Sequence, residues 1–294
     1  MFKNKGYYIK IMIVAAILFF FIRYIYKNWS LVSQYQWQFR YELLTVSILL
    51  VIFNFVFLIQ IWRKLLSGLG YTLGFKKAFK IWFYSSMGKY VPGKVWSIMG
   101  MVYLCEKEGI PKSATFTSAI LNQAFNIVGG LILVVLLSGK RLFGHLPTPF
   151  YLVLGLILLI ILHPSWMEKL LNFFLKILKK EQLKINLSFR HNLAFTLFFM
   201  LSWCVYGVAF NIFIRSLTPY SWNLAPFIGS TFVFSYIVGF LSVFVPGGLG
   251  VREGLLVIYL SNYFPLPVAT LIALLSRLWM TTAEILGLAV SFRL

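Results

Sequence analysis

The chain of 294 residues is 60% hydrophobic and only 12% charged, which leaves too little polar surface to cover a water-soluble domain of this size. Apolar stretches of roughly 20 residues, each long enough for about 30 Å of hydrocarbon, recur along it, so residues 1–294 read as a single all-α, polytopic transmembrane domain with no room for a separate catalytic domain. Lys and Arg number 27 against seven Glu and no Asp; with so few carboxylates to hold a divalent cation or serve as a base, no metal site, cofactor, assigned catalytic residue or nucleic-acid partner is expected.

Lys3, Lys5 and Lys10 precede an apolar run from Ile11 to Ile22, as in a secretory signal. No small-x-small cleavage site follows, and the run leads into Arg23, Tyr24 and Lys27, so it reads as a retained spanning helix at about 7–26. A second spans about 43–62. Ala78 to Cys105 is broken at Pro92-Gly93 into two arms, each too short to cross the bilayer, and reads as a hairpin that enters and returns. Spanning helices follow at about 113–137 and 148–163. About 164–190 is an amphipathic linker, in which Leu and Phe mix with Lys169, Lys176, Lys179 and Lys180, suited to the anionic cytoplasmic leaflet. A fifth span is expected at about 192–214. Ala225 to Tyr263 is broken at Pro246-Gly247-Gly248, with a first arm long enough to leave a full crossing open, and a sixth span covers about 268–292. The expectation is thus about six spanning helices plus two broken or re-entrant hairpins. Cys105 and Cys204 lie in separate apolar segments and imply no disulfide. Trp29, Trp37, Trp62 and Trp96 suit interfacial belts.

The two breaks belong to a repeat. Pro92 and Gly100 recur at Pro246 and Gly254, an offset of 154; Tyr103 and Pro111 recur at Tyr259 and Pro267, an offset of 156. Repeat 1 covers about 43–137 and repeat 2 about 192–292. With a cytoplasmic N-terminus, 17 Lys and Arg fall on the inside and six (Arg23, Lys27, Arg40, Lys140, Arg141 and Arg215) on the outside. That bias places both termini of a multi-pass protein in the cytoplasm. The two repeats then have opposite topologies, and an inverted repeat builds its substrate site near the midplane.

Four basic residues remain: Lys89, Lys94, Arg252 and Arg277, all beside a break or within an apolar helix. Intramembrane charge costs about 2.5–3.5 kcal/mol on insertion scales unless it is paired or wet, so such residues mark function. Pro92-Gly93 and Pro246-Gly247-Gly248, with Gly250 just beyond, end one helix and start another, gathering backbone N–H groups and a positive helix end that suit an anion such as a phosphate. The alternative for Lys89 and Lys94 is snorkelling to an interface. Glu253 and Glu284 are the two acids within apolar segments; either neutralises Arg277 across helices or meets a cationic part of the substrate. Asn122, Gln123 and Asn126 cluster in the third spanning helix, where substrate contact and interhelical hydrogen bonding explain them equally. Gly129, Gly130 and Gly287 suit close helix packing.

MGKYVPGKVW at 87–96, EGIPKSAT at 108–115 and above all FVPGGLGVREG at 244–254, with Arg277 in the last helix, resemble the lysylphosphatidylglycerol synthase transmembrane region, or flippase-like domain, over nearly the whole chain. In fused members such a domain translocates aminoacylated phosphatidylglycerol made by a cytoplasmic synthetase domain. The 294 residues carry no synthetase domain, so the resemblance implies translocation of a lipid rather than its synthesis. Met101 and the neutral Asn122-Gln123 depart from the charged residues common in the family, which bears on the substrate. The leading expectation is a flippase of a bacterial inner membrane for an anionic or aminoacylated phospholipid, or a polyprenyl-phosphate-linked lipid, with phosphate head groups as partners. The alternatives are a lipid-modifying aminoacyl or glycosyl transferase with Glu253 or Glu284 as base, and a non-transporting subunit that recruits a lipid synthase or glycosyltransferase. Oligomeric state is not readable.

Overall fold

The computed structural model describes residues 19, 23–90, 96–144, 147–177, 188–242 and 245–294. Most of the expected helix at 7–26, part of the linker, and Pro92, Gly93 and Lys94 at the first break therefore lie outside the described residues. The α-helices are α1 (Trp29–Gln34), α2 (Tyr41–Gly68), α3 (Phe75–Ser86), α4 (Trp96–Glu106), α5 (Lys112–Phe143), α6 (Thr148–Ile161), α7 (Pro164–Ile177), α8 (Phe189–Arg215), α9 (Ala225–Leu241), α10 (Val251–Leu260) and α11 (Leu266–Arg293). No strand occurs among the described residues.

Each repeat is a long helix, two arms across a break, and a second long helix: α2, α3, α4, α5 in the first and α8, α9, α10, α11 in the second. Prolines place several starts. Pro111 precedes α5, while Pro226 and Pro267 occupy first-turn positions of α9 and α11, where the missing N–H has no intrahelical partner to lose. Among the described residues, five helical stretches are long and apolar enough to span a bilayer: α2, α5, α8, α11, and α9 together with its leading turn from Trp222. The first arm of the second hairpin thus has the length of a full crossing, whereas α3, α4 and α10 do not. Large apolar side chains stand exposed on outer faces, among them Leu49 and Phe53 of α2, Leu197 and Leu201 of α8, and Leu278 and Ile285 of α11. In water such a surface would aggregate; in lipid it is the solvated face. The chain is a multi-pass membrane protein.

Side-chain contacts fix the relative directions of the long helices. Arg40 N–H donates to Ser216 O, Phe55 meets Tyr206, and the Lys64 ammonium lies 5.0 Å from the Phe198 ring centroid; positions rise along α2 as they fall along α8, so the two are antiparallel. Phe125 packs on Phe195, while a Cβ on Gly129 would meet Phe199 and one on Gly130 would meet Trp203, which sets α5 parallel to α8. Trp279 Nε1 donates to Ser47 Oγ, and Phe83 packs against both Phe55 and Gly287, which sets α11 parallel to α2. The first and last helices of one repeat therefore run opposite to those of the other, the geometry that the charge bias anticipated.

Both hairpins return the chain to the end it left. Lys77 Nζ and Glu108 Oε2, 2.5 Å apart, join the two feet of the first. Rings join those of the second, Tyr220 on Phe264 and Phe227 on Tyr263. α6 connects the C-terminal end of α5 with the N-terminal end of α8, where Asn192 Nδ2 donates to Leu162 O. Its 14 residues make about 21 Å of helix, so the expected 148–163 span forms as a helix shorter than the hydrocarbon core. α7 presents Trp166 and Phe173 outward, with the Lys169 ammonium over the Trp166 ring, as an amphipathic surface helix does.

Small residues let the helices close up. A Cβ on Gly130 would stand 2.5 Å from Ile237 Cδ1 and 2.7 Å from Trp203 Nε1, and one on Gly287 would enter the Phe83 ring. Trp62 corrects an expectation: it is fully buried and donates from Nε1 to Ser118 Oγ at 3.1 Å, so it belongs to the core and not to an interfacial belt. Trp29 and Trp96 are exposed.

Candidate functional site

Beyond α9 the backbone turns through Pro246–Gly248 before α10 begins. Gly247, Gly248 and Gly250 all have positive φ, a region that costs other residues steric strain. At Gly248, with φ +66°, a Cβ would also stand 2.6 Å from Gly239 O. The break thus packs backbone to backbone against α9, and Gly239 in turn leaves room for the stem of Arg252, whose Cβ lies 3.0 Å from where a Gly239 Cβ would be.

Glu253, at the third position of α10, is buried. Its Oε2 accepts the Gly250 N–H at 2.7 Å and its Oε1 accepts from Arg277 Nη1 at 2.8 Å. Arg277 Nη2 also points at Gly247 O, at 3.5 Å. One carboxylate therefore caps α10, where negative charge meets the positive helix end, and holds α11 against the break. At the N-terminus of α10 the Gly250 N–H is thus already satisfied within the protein, by Glu253.

The first break reaches the same region from the other side. The turn Met87–Tyr90 after α3 touches the turn Pro246–Gly248. From it Lys89 Nζ donates to Glu284 Oε1 of α11, two turns beyond Arg277. Lys89 is thus engaged in an ion pair inside the protein. Between the pairs lies Arg252, only 7% exposed. Its guanidinium carbon lies 4.9 Å from the Phe232 ring centroid and 5.1 Å from that of Tyr236, and its Nε and Nη2 have no hydrogen-bond partner. Cation–π contact offsets part of its burial, about 1–2 kcal/mol, yet donors of this kind cost free energy when nothing accepts from them.

A cavity of ≈ 270 Å³ opens between these groups, close to the lower end of small-molecule sites, about 300–1,000 Å³. Of the residues singled out from the sequence, Lys89, Asn122, Gln123, Asn126, Gly247, Gly248, Arg252, Arg277 and Glu284 line it. Pro246 opens the turn at its edge, while Gly250 and Glu253 stand behind Arg277. Asn126 supplies its carbonyl to Trp203; Asn122 is buried with Oδ1 unpartnered. Among the described residues the site holds three bases, Lys89, Arg252 and Arg277, and two carboxylates, Glu253 and Glu284, so one positive charge is in excess. Apolar walls come from Phe55, Leu58, Phe83 and Met280. Sequence reasoning missed the rings around Arg252 and the lining Trp203 and Tyr206, which nothing in the pattern sets apart from the many other aromatic residues.

No curated protein matches the chain closely enough to count as a relative. The family description that matches, over residues 7–287, is that of the lysylphosphatidylglycerol synthase TM region. It takes in both breaks, the cavity and every charged residue around it, and the chain belongs to this family.

Proposed function

We propose that the protein moves a phosphate-bearing membrane lipid between leaflets, with the headgroup in the cavity and the acyl chains left in the bilayer. The observation that supports this reading best is the buried, unbalanced Arg252, which carries two unused donors and lines a cavity between two oppositely directed repeats. A desolvated guanidinium with unused N–H groups favours an oxyanion, and phosphate matches its fork. The family supplies the lipid context, a transmembrane region named for a phospholipid. Arg252 and Arg277 bind the phosphate, and Glu253 and Glu284 balance charge while the site is empty. The end of the molecule bearing Arg63, Lys64, Lys77, Lys107 and Lys112 faces the cytoplasm of the inner membrane by the positive-inside bias.

The test is a leaflet-resolved assay of a fluorescent phospholipid in vesicles reconstituted with the full chain. We expect an Arg252→Ala, Arg277→Ala double variant to move lipid at least about tenfold more slowly, the equivalent of about 1.4 kcal/mol of lost binding. Transport at the wild-type rate by a folded double variant would reject the site.

A further inference from the structure

Resting on that reading of the cavity, we infer a narrower ligand class: a phosphodiester lipid whose headgroup is neutral and hydroxylated, in preference to an aminoacylated, cationic one. Two side chains that line the cavity, each more than nine-tenths buried, carry unused hydrogen-bonding atoms of opposite kind. Arg252 offers Nε and Nη2 as donors, and Asn122 offers Oδ1 as an acceptor. Buried polar atoms are ordinarily paired, so the missing group accepts at one end and donates at the other. A phosphodiester oxygen meets the first requirement and a hydroxyl hydrogen the second.

An ammonium hydrogen also donates, but its charge needs an anion. Both carboxylates of the site are committed, Glu253 to Arg277 and to the Gly250 N–H, and Glu284 to Lys89. A cationic headgroup would break one of these pairs or add a second unbalanced positive charge beside Arg252. A hydroxyl asks for neither. Asn122 comes from α5 of the first repeat and Arg252 from α10 of the second, so a ligand joining them bridges the two halves at the point where they meet. The neutral Gln123 and the Ser86 and Ser97 hydroxyls on the same wall extend the polar lining without adding charge.

The experiment measures binding of three short-chain lipids to the purified full chain in detergent by native mass spectrometry. Phosphatidylglycerol has the phosphodiester and the hydroxyls, phosphatidylmethanol the phosphodiester alone, and lysylphosphatidylglycerol an added cationic aminoacyl group. We expect phosphatidylglycerol to bind about tenfold more tightly than either of the others. Asn122→Leu should abolish its advantage over phosphatidylmethanol, and Asn122→Asp should shift preference toward the aminoacyl ester; thermal denaturation of both variants verifies that they fold. Equal binding of phosphatidylglycerol and phosphatidylmethanol, or tightest binding of the aminoacyl ester by the unmodified chain, overturns the inference. If all three bind alike yet lose affinity in Arg252→Gln, the phosphate site stands and the headgroup class falls. Binding unaffected by Arg252→Gln rejects the site itself.

Discussion

The two repeats share a fold but not a chemistry. The offset of 154 that relates the breaks sets Ile98 and Met99 against Arg252 and Glu253, and the offset of 156 beyond them sets Leu121 and Val128 against Arg277 and Glu284. Each of these four charged residues has an apolar counterpart in the first half. Among the described residues, the first half brings one charge to the cavity, Lys89, together with the amides of Asn122, Gln123 and Asn126, the Ser86 and Ser97 hydroxyls and apolar walls. Symmetry of the backbone thus supplies the two directions of helix, while the electrostatics are assembled once, at the junction. A single cavity needs one set of charges, and burying a second set would cost several kcal/mol with nothing to offset it.

The sharpest way to break that comparison is to remove the carboxylate at the centre of the second half. Glu253→Ala leaves Arg277 Nη1 and the Gly250 N–H without their acceptor. Breaking one partner of a buried pair costs about 3–5 kcal/mol; because Arg277 is about a quarter exposed, we expect the lower end, about 3 kcal/mol, read as a fall in the thermal midpoint of the detergent-solubilised protein. Met99→Ala, at the equivalent place in the first half and half exposed, should move the midpoint far less, by no more than about 0.5 kcal/mol. Equal losses would show that the two breaks are held in the same way.

Glycine provides the next contrast. Gly248→Ala forces a Cβ into positive φ and within 2.6 Å of Gly239 O, and both features are backbone constraints that side-chain rotation cannot relieve. About 2–3 kcal/mol of destabilisation is expected. Gly100 and Gly254 are true repeat partners, each inside a helix arm. A Cβ there meets atoms at 3.5 Å or none within 4 Å, so alanine at either should be neutral or stabilise by up to about 1 kcal/mol. Chemical-denaturant titration of the three variants checks the order.

How much of this was legible in the sequence follows from what each signal costs to hide. Arg252, Glu253, Arg277 and Glu284 stood out because charge inside apolar segments is expensive, and the structure brings all four to one place. Their partners did not stand out: that Glu253 takes Arg277 while Glu284 takes Lys89 depends on how α11 packs between the breaks, which helical periodicity cannot reveal. The rings of Phe232 and Tyr236 under Arg252 were hidden by abundance, since 19% of the chain is aromatic. Trp62 was misread for the same reason. A tryptophan near a helix end fits an interfacial belt by position, and only its buried hydrogen bond to Ser118 assigns it to the core. The repeat was legible because prolines and glycines mark breaks whatever surrounds them.

The coupling between halves is open to a double-mutant cycle. Lys89→Met and Glu284→Leu each remove one side of the pair that joins the first break to α11. Lys89 is about one-third exposed, so its pair is partly screened, and we expect single losses of about 1–2 kcal/mol with a coupling of about 1 kcal/mol in the double variant. Strict additivity would mean that the first break docks without help from the second half.

The smallest effect is expected at the feet of the hairpins. The first is clasped by Lys77 and Glu108, with Lys77 well exposed; the second is clasped by Phe227 on Tyr263 and Tyr220 on Phe264. Exposed ion pairs contribute about 0–1 kcal/mol and are screened over about 3 Å in 1 M salt, whereas ring contacts owe little to ionic strength. Lys77→Ala should therefore lower the thermal midpoint only slightly at low salt and not at all in 1 M salt, while Phe227→Leu should lower it equally in both. A salt-independent loss at Lys77 would mean that its methylene stem, rather than its charge, closes the first hairpin.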